Sequence, residues 1–235
     1  MNAIQQLMQH APSIESKIGH VFNDRKLLVL AFIHCSFVNE NRDITTHNER
    51  LEFLGDSVLG VLVADHLYRH FPTTSEGDLS YLRSRLVEAS SCVLYIQKLD
   101  IDKFLLLGKG ERMNGGRGRD SILADFFEAL IGAIYLDGGL EAARHFIFKI
   151  FAEEIEAILQ KPLRNWKALL QDHCQKQLQQ TPVYKVLNET GPDHSKQFTM
   201  AVMLGNKELG QGSGSSKKEA QQAAAENALN NMHLN

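Results

Sequence analysis

The sequence predicts a multi-domain chain, in which an all-α domain over residues 1–160 precedes a smaller α+β domain over residues 161–235 ordered α-β-β-β-α. Three observations carry this reading. At 235 residues the chain is long for one typical domain and suits two, at roughly 150 residues per domain. Apolar residues recur at three- and four-residue spacing up to about Gln160, and beyond it they alternate. Charge divides at the same place. From Pro162 onward there are 8 Lys/Arg and 6 Asp/Glu, leaving 17 of the 25 basic and 22 of the 28 acidic residues before it, a balance of +2 against −5. A basic tail behind an acidic body implies separate jobs, one part attracting a polyanion and the other concentrating carboxylates.

In the first domain the helical spacing is clearest at Leu51, Leu54, Val58 and Leu62, and again at Leu123, Phe127, Leu130 and Ile134. Breaks are expected at Phe71-Pro72-Thr73-Thr74, at the glycine-rich stretch 108–118 and at Asp137-Gly138-Gly139. A last helix over about 140–159 should stop at Lys161-Pro162, where the linker is placed.

The second domain starts with a helix over about 165–177. Val183 to Leu187 is β-branched or aromatic at most positions, and Phe198, Met200, Val202 and Leu204 fall at period two, so both read as strands. Gly205-Asn206 signals the hairpin between the second strand and a third. That third strand is expected to run through Leu209 and to leave the sheet at Gly210-Gln211-Gly212. Ser216, with Glu219 three residues on, has the form of a capping box and starts the last helix.

With 43% hydrophobic and 23% charged residues the composition is that of a globular protein. The first twenty residues lack a basic segment followed by an apolar run, and no stretch offers 18 uninterrupted apolar residues, so a cytoplasmic protein without a membrane segment is expected. Cys35, Cys92 and Cys174 form no CxxC, which points to neither a zinc site nor a disulfide framework. No small-molecule cofactor is indicated.

Lys217 and Lys218 oppose the macrodipole in the first turn of the last helix, and an anion docked there would reverse that penalty. A pair of solvated lysines is the plainer alternative. The element order, the segment Gly191-Pro192-Asp193-His194 and the run Gly-Ser-Gly-Ser-Ser-Lys-Lys-Glu-Ala at 212–220 together resemble the double-stranded RNA-binding domain, over about residues 163–232. That resemblance implies a reader of A-form shape. Gln171 and Gln175 meet one minor groove, His194 the next, and Lys217 and Lys218 the phosphates between. Gln221 departs from the charged residue that many relatives carry there.

The acidic half has its own puzzle. Glu52 and Asp56 sit one turn apart, and Asp125 and Glu128 three apart, in apolar runs (51–65 and 121–141) without a single Lys or Arg. Buried like charges need a neutraliser. Distant arginines such as Arg83 or Arg85 are one answer, and a hard divalent cation held by oxygen ligands, Mg²⁺ or Mn²⁺, is the other. Gly55, Gly60 and Gly132 inside helical patterns suggest close packing nearby.

His-Asn-Glu-Arg-Leu-Glu-Phe-Leu-Gly-Asp-Ser (47–57) and Ser-Ile-Leu-Ala-Asp-Phe-Phe-Glu-Ala-Leu-Ile-Gly-Ala (121–133) resemble the two signature stretches of bacterial ribonuclease III, and Phe-Pro-Thr-Thr-Ser-Glu-Gly-Asp-Leu-Ser (71–80) extends the likeness. His34-Cys35-Ser36-Phe37 sits where relatives usually end in tyrosine. The resemblance implies an endonuclease domain at 1–160 and an RNA-binding domain at 161–235. It makes Glu52, Asp56, Asp125 and Glu128 a Mg²⁺ cluster, with Asp56 and Glu128 catalytic and Glu49 and Glu76 in support. Phe53, otherwise a plain core aromatic, is implied to plug a socket in the partner of a homodimer. The expected activity is Mg²⁺-dependent hydrolysis of double-stranded RNA, leaving 5′-phosphate and 3′-hydroxyl ends with short 3′ overhangs, with ribosomal RNA precursors and other structured transcripts as substrates. Lys109, Arg112, Arg117 and Arg119 in the loop from 108 to 119 either touch phosphates or are solvated. Rival readings are a binding protein that does not cleave, and a DNA nuclease.

Overall fold

A computed structural model describes residues 2–113, 119–160, 165–190, 196–214 and 216–232. The chain divides into two compact units, Met1–Lys161 and Pro162–Asn235.

The first unit is helical. Its elements are α1 (Ala3–Ile18), α2 (Arg25–Ala31), α3 (Cys35–Glu40), α4 (Glu49–His70), α5 (Glu76–Val87), α6 (Ala89–Leu99), a 3₁₀ turn (Asp102–Phe104), α7 (Lys109–Met113), α8 (Arg119–Ile150) and α9 (Ala152–Leu159). Local chemistry sets the ends. Asn2 and Gln5 form a reciprocal capping box at the start of α1, and Gly19 closes that helix at φ 67°. Ser75 caps α5 by accepting from the Asp78 N–H. The centre of the unit is the contact between α4 and α8, which buries Leu51, Val58, Leu59 and Leu62 with Phe126, Phe127, Leu130 and Ile134.

Two expectations change here. The glycine-rich stretch 108–118 is not an uninterrupted break, because residues 109–113 form α7; residues 114–118 lie outside those described. The helix expected over 140–159 is two helices. Phe151 leaves helical geometry (φ −109°, ψ 22°) and its fully buried ring packs against Tyr95, Phe127 and Phe146, with centroids 4.8, 5.5 and 5.3 Å away. Burial of that ring outweighs the continuity of the helix. The expected break at 137–139 is a kink within α8, where Gly139 takes φ 77°. Asp137 beside it accepts from the Asn23 and Asp24 N–H groups at 3.0 and 2.8 Å.

In the second unit, α10 (Trp166–Leu178) is followed by β1 (Val183–Thr190), β2 (Gln197–Leu204), β3 (Lys207–Gly214) and α11 (Lys217–Asn231). The strands form an antiparallel sheet in the order β1-β2-β3, with a register shift between Val186 and Asn188. Gly205, at φ 59°, makes the tight turn between β2 and β3.

The third strand runs past Leu209 to Gly214, farther than the sequence predicts. Its glycines do not break the strand; they remove side chains from the face on which α11 lies. A β-carbon at Gly210 would stand 2.6 Å from the Ala228 nitrogen and one at Gly214 2.7 Å from the Ala220 nitrogen, while one at Gly212 would overlap the backbone at Ala224. Glycines at every second strand position thus meet alanines at every fourth helix position. The core is completed by Leu170, Cys174, Val202 and Leu229.

Candidate functional site

The α4–α8 crossing builds the acidic cluster. At Gly55 a β-carbon would overlap the Glu128 carbonyl, and at Gly132 one would overlap the Leu51 carbonyl, so the two helices meet backbone to backbone. Glu52 and Asp56 on α4 flank Gly55, and Asp125 and Glu128 on α8 lie on the other side of the contact. Their electrostatics register the proximity. Burial raises Glu128, and the charges of Asp56, Asp125 and Glu52 raise it further, to about 7. Burial likewise raises Glu52, with Asp125, Glu49 and Asp56 adding to it. Asp125 is raised by burial and by Glu49, against a lowering influence from His34.

No described Lys or Arg forms an ion pair with any of the four. The arginine alternative therefore has no support. Arg83 is exposed, and the Arg85 guanidinium lies over the Tyr81 ring, 5.8 Å from its centroid.

An open cavity of about 340 Å³ adjoins the cluster, lined by His34, Asn48, Glu49, Glu52 and Asp125. The sequence does not single out His34 and Asn48 as site residues. His34 caps α3, its ring nitrogen accepting from the Ser36 N–H; Asn48 is the buried residue just before α4. The legible signals are a histidine two residues before a serine at a helix start, and an asparagine directly preceding the first acid of α4. Glu49 stands on the cavity wall, and the Cys35 thiol is pushed up by burial first and by Glu49 next. Glu76 does not line the cavity; at the first position of α5 it accepts from Ser80 Oγ at 2.9 Å.

The donor set is all oxygen, which suits a hard cation. Among the described residues, no three His, Cys, Asp or Glu side chains converge closely enough to enclose an ion by themselves. A hard cation held by few protein oxygens fills its remaining positions with water or with ligand oxygens.

In the second unit Gln171 and Gln175 are exposed one turn apart on α10, and Lys217 and Lys218 are exposed in the first turn of α11, whose N-cap is Ser216. The Lys217 ammonium sits over the Phe198 ring, 5.6 Å from its centroid. Gln221 accepts from Lys167 Nζ at 2.7 Å, so it is tied to α10. His194 lies outside the described residues, as does Arg117. Of the other basic residues near α7, Arg119 is paired with Asp102 at 2.6 Å, the Arg112 guanidinium donates to the Leu107 carbonyl, and Lys109 is exposed.

Phe53 is 79% exposed on α4, with Val61 and Tyr68 also exposed farther along the same helix. A core role for this ring is excluded within the unit. Among the described residues, no helix is long and apolar enough to cross a membrane.

The family model described as "Ribonuclease-III-like" matches residues 24–155, and that of the "Double-stranded RNA binding motif" matches residues 166–232. Ribonuclease 3 of Protochlamydia amoebophila is 67% identical over 234 residues, covering 100% of this chain and 97% of the relative. Ribonuclease 3 of Caldanaerobacter subterraneus subsp. tengcongensis is 44% identical over 222 residues, covering 94% and 97%. The solved nuclease domain of ribonuclease III from Campylobacter jejuni, a structure concerned with a region involved in dimer formation, superposes with a TM-score of 0.55 at 38% identity, over 60% of this chain and 94% of that one. With both models matched in order and the relatives aligned over nearly their whole length, the chain belongs to the ribonuclease III family of double-stranded RNA endonucleases.

Proposed function

We propose that this chain hydrolyses phosphodiester bonds of double-stranded RNA with Mg²⁺, leaving 5′-phosphate and 3′-hydroxyl ends with short 3′ overhangs, and that it works as a cytoplasmic homodimer on ribosomal RNA precursors and other structured transcripts. The observation that carries the chemistry is the cluster of Glu52, Asp56, Asp125 and Glu128, gathered at one helix crossing without a described cationic partner. When bound, Mg²⁺, or Mn²⁺ in its place, supplies positive charge to the phosphate and lowers the pKa of water. Glu52, Asp125 and Glu128 hold the ion. Asp56, exposed at the rim of the crossing, completes the set and orients the attacking water, and the ion's charge would favour the ionised form of the half-buried Glu128, which burial and its acidic neighbours disfavour. Gln171, Gln175, His194, Lys217 and Lys218 hold the duplex. The exposed Phe53 ring supports association through α4, which would set two acidic clusters against one duplex, one for each strand.

Matched RNA and DNA duplexes, each incubated with Mg²⁺ and with EDTA, test the proposal. Cleavage of the RNA duplex alone, and only with the metal, is the expected result. Binding without cleavage overturns the hydrolytic reading, and equal cleavage of both duplexes overturns the substrate.

A further inference from the structure

The proposed duplex-binding side chains on the helices of the second unit form two strips, Gln171 and Gln175 on α10 and Lys217 and Lys218 at the start of α11. One further lysine belongs to both. Lys167 precedes Gln171 by four residues, as Gln171 precedes Gln175, so the three share one side of α10. Its ammonium donates to Gln221 Oε1 at 2.7 Å. Gln221 stands three residues after Lys218 and four after Lys217, and at about 100° per residue it falls between them around α11. The Lys167 side chain thus carries its charge from the α10 strip to the flank of α11, one turn from both lysines.

Several contacts build this placement. The Lys167 N–H donates to Gln222 Oε1 at 3.2 Å, and Gln222 Nε2 donates to Asn165 Oδ1 at 2.9 Å. That oxygen also caps α10, accepting from the Ala168 N–H at 3.1 Å, so the first turn of α10 is fastened to α11. Lys167 Nζ lies 5.1 Å from the centroid of the Tyr184 ring on β1. An amide oxygen and a ring face hold an ammonium in place without cancelling its charge. Among the described residues no carboxylate forms an ion pair with Lys167. A glutamate at position 221 could make the same link and neutralise the ammonium; glutamine leaves the positive charge standing.

We infer that Lys167 is a third lysine of the duplex-binding surface, held by Gln221 between the α10 strip and the start of α11 to meet a phosphate of the RNA backbone. The inference rests on the proposed binding of duplex RNA by this unit. Backbone phosphates border every groove, so a cation set between a groove-reading helix and a phosphate-binding one meets them whatever the sequence.

The test is the salt dependence of binding, measured with the full chain and a short duplex RNA in EDTA. Lys167→Gln removes the charge and keeps an amide beside Gln221. It is expected to reduce the slope of log affinity against log salt by somewhat under one unit, with a melting temperature near that of wild type. Lys167→Arg, which keeps the charge, is expected to keep the slope. Lys207→Gln controls for net charge: Lys207 is exposed at the start of β3, and because Gly210 lies against Ala228 and Gly214 against Ala220, that end of the strand is remote from the first turn of α11. Its slope should be unchanged. Should Lys167→Gln fold poorly, Gln221→Glu preserves the link and cancels the charge through an ion pair, and the same loss of slope is expected at an undiminished melting temperature. A wild-type slope in folded Lys167→Gln or Gln221→Glu overturns the inference and leaves Lys167 a tether between helices. An equal loss of slope in Lys207→Gln also overturns it, since bulk charge would then account for the effect. A wild-type protein without salt-dependent affinity for duplex RNA would instead overturn the reading of this unit on which the inference rests.

Discussion

Gly55 lies against the carbonyl of Glu128, so close that a β-carbon at position 55 would overlap that oxygen. The absence of one side chain thus fixes the separation of the two acidic pairs. Gly55→Ala is expected to force α4 and α8 apart. Overpacking of this kind costs about 1–3 kcal/mol, only partly offset by the roughly 1 kcal/mol that alanine gains over glycine in a helix. The melting temperature should fall by several degrees, and cleavage by the fraction that stays folded should fall too, because the carboxylates no longer share one ion. Full activity in the folded fraction would mean that the spacing of the pairs is not critical.

Phe53→Ala tests the association. Since the ring is 79% exposed within its own unit, truncation leaves no cavity in the core, and unfolding measured at high dilution should be nearly unchanged. If the ring fills a socket in a partner, its loss weakens the dimer by about 2–4 kcal/mol, the cost of a typical hot-spot residue. Sedimentation should then show monomers at concentrations where wild type is dimeric. A variant that remains dimeric but melts earlier would count against the interface.

Lys217→Ala combined with Lys218→Ala tests the duplex-binding surface. Each phosphate contact releases counterions, so losing two should reduce the slope of log affinity against log salt by somewhat under two units. Binding should weaken for all duplex sequences alike. An unchanged slope would remove these lysines from the contact.

The helices are legible in the sequence because burial imposes a period on it, and Leu51, Leu54, Val58 and Leu62 display that period plainly. The break at Phe151 is not legible, since it depends on a ring finding Tyr95 and Phe127, which are distant in sequence. The length of β3 is hidden for a related reason: Gly210, Gly212 and Gly214 look like chain breakers until α11 is in place above them. At the site, Glu52, Asp56, Asp125 and Glu128 stand out because charge inside an apolar run is costly. His34 does not, because what marks it is a shared wall with Glu52 and Asp125, which is a property of the fold.

Glu128→Gln joins stability to chemistry in one side chain. The carboxyl of Glu128 is raised from 4.5 to about 7 in the folded, metal-free protein, so the fold favours its protonated form. Between those two values the folded state binds more protons than the unfolded chain, and stability must fall as pH rises. The contribution is intact below about pH 4.5 and is lost as pH climbs through 7. Glutamine has nearly the same shape and no charge to lose. In EDTA the variant should therefore match wild type near pH 5 and exceed it at pH 8 by something on the order of 2 kcal/mol, given about 1.4 kcal/mol for each tenfold change in proton affinity and a discount for screening at a half-buried site. Saturating Mg²⁺ should reverse the ranking, because only the carboxylate gains from the ion. Single-turnover cleavage by the variant should be abolished while duplex binding, which rests on the other unit, survives. Were Glu128 instead the anchor of a structural ion pair, the variant would melt earlier in EDTA at pH 8 and its folded fraction would still cut RNA; that pair of results would falsify the metal-holding role.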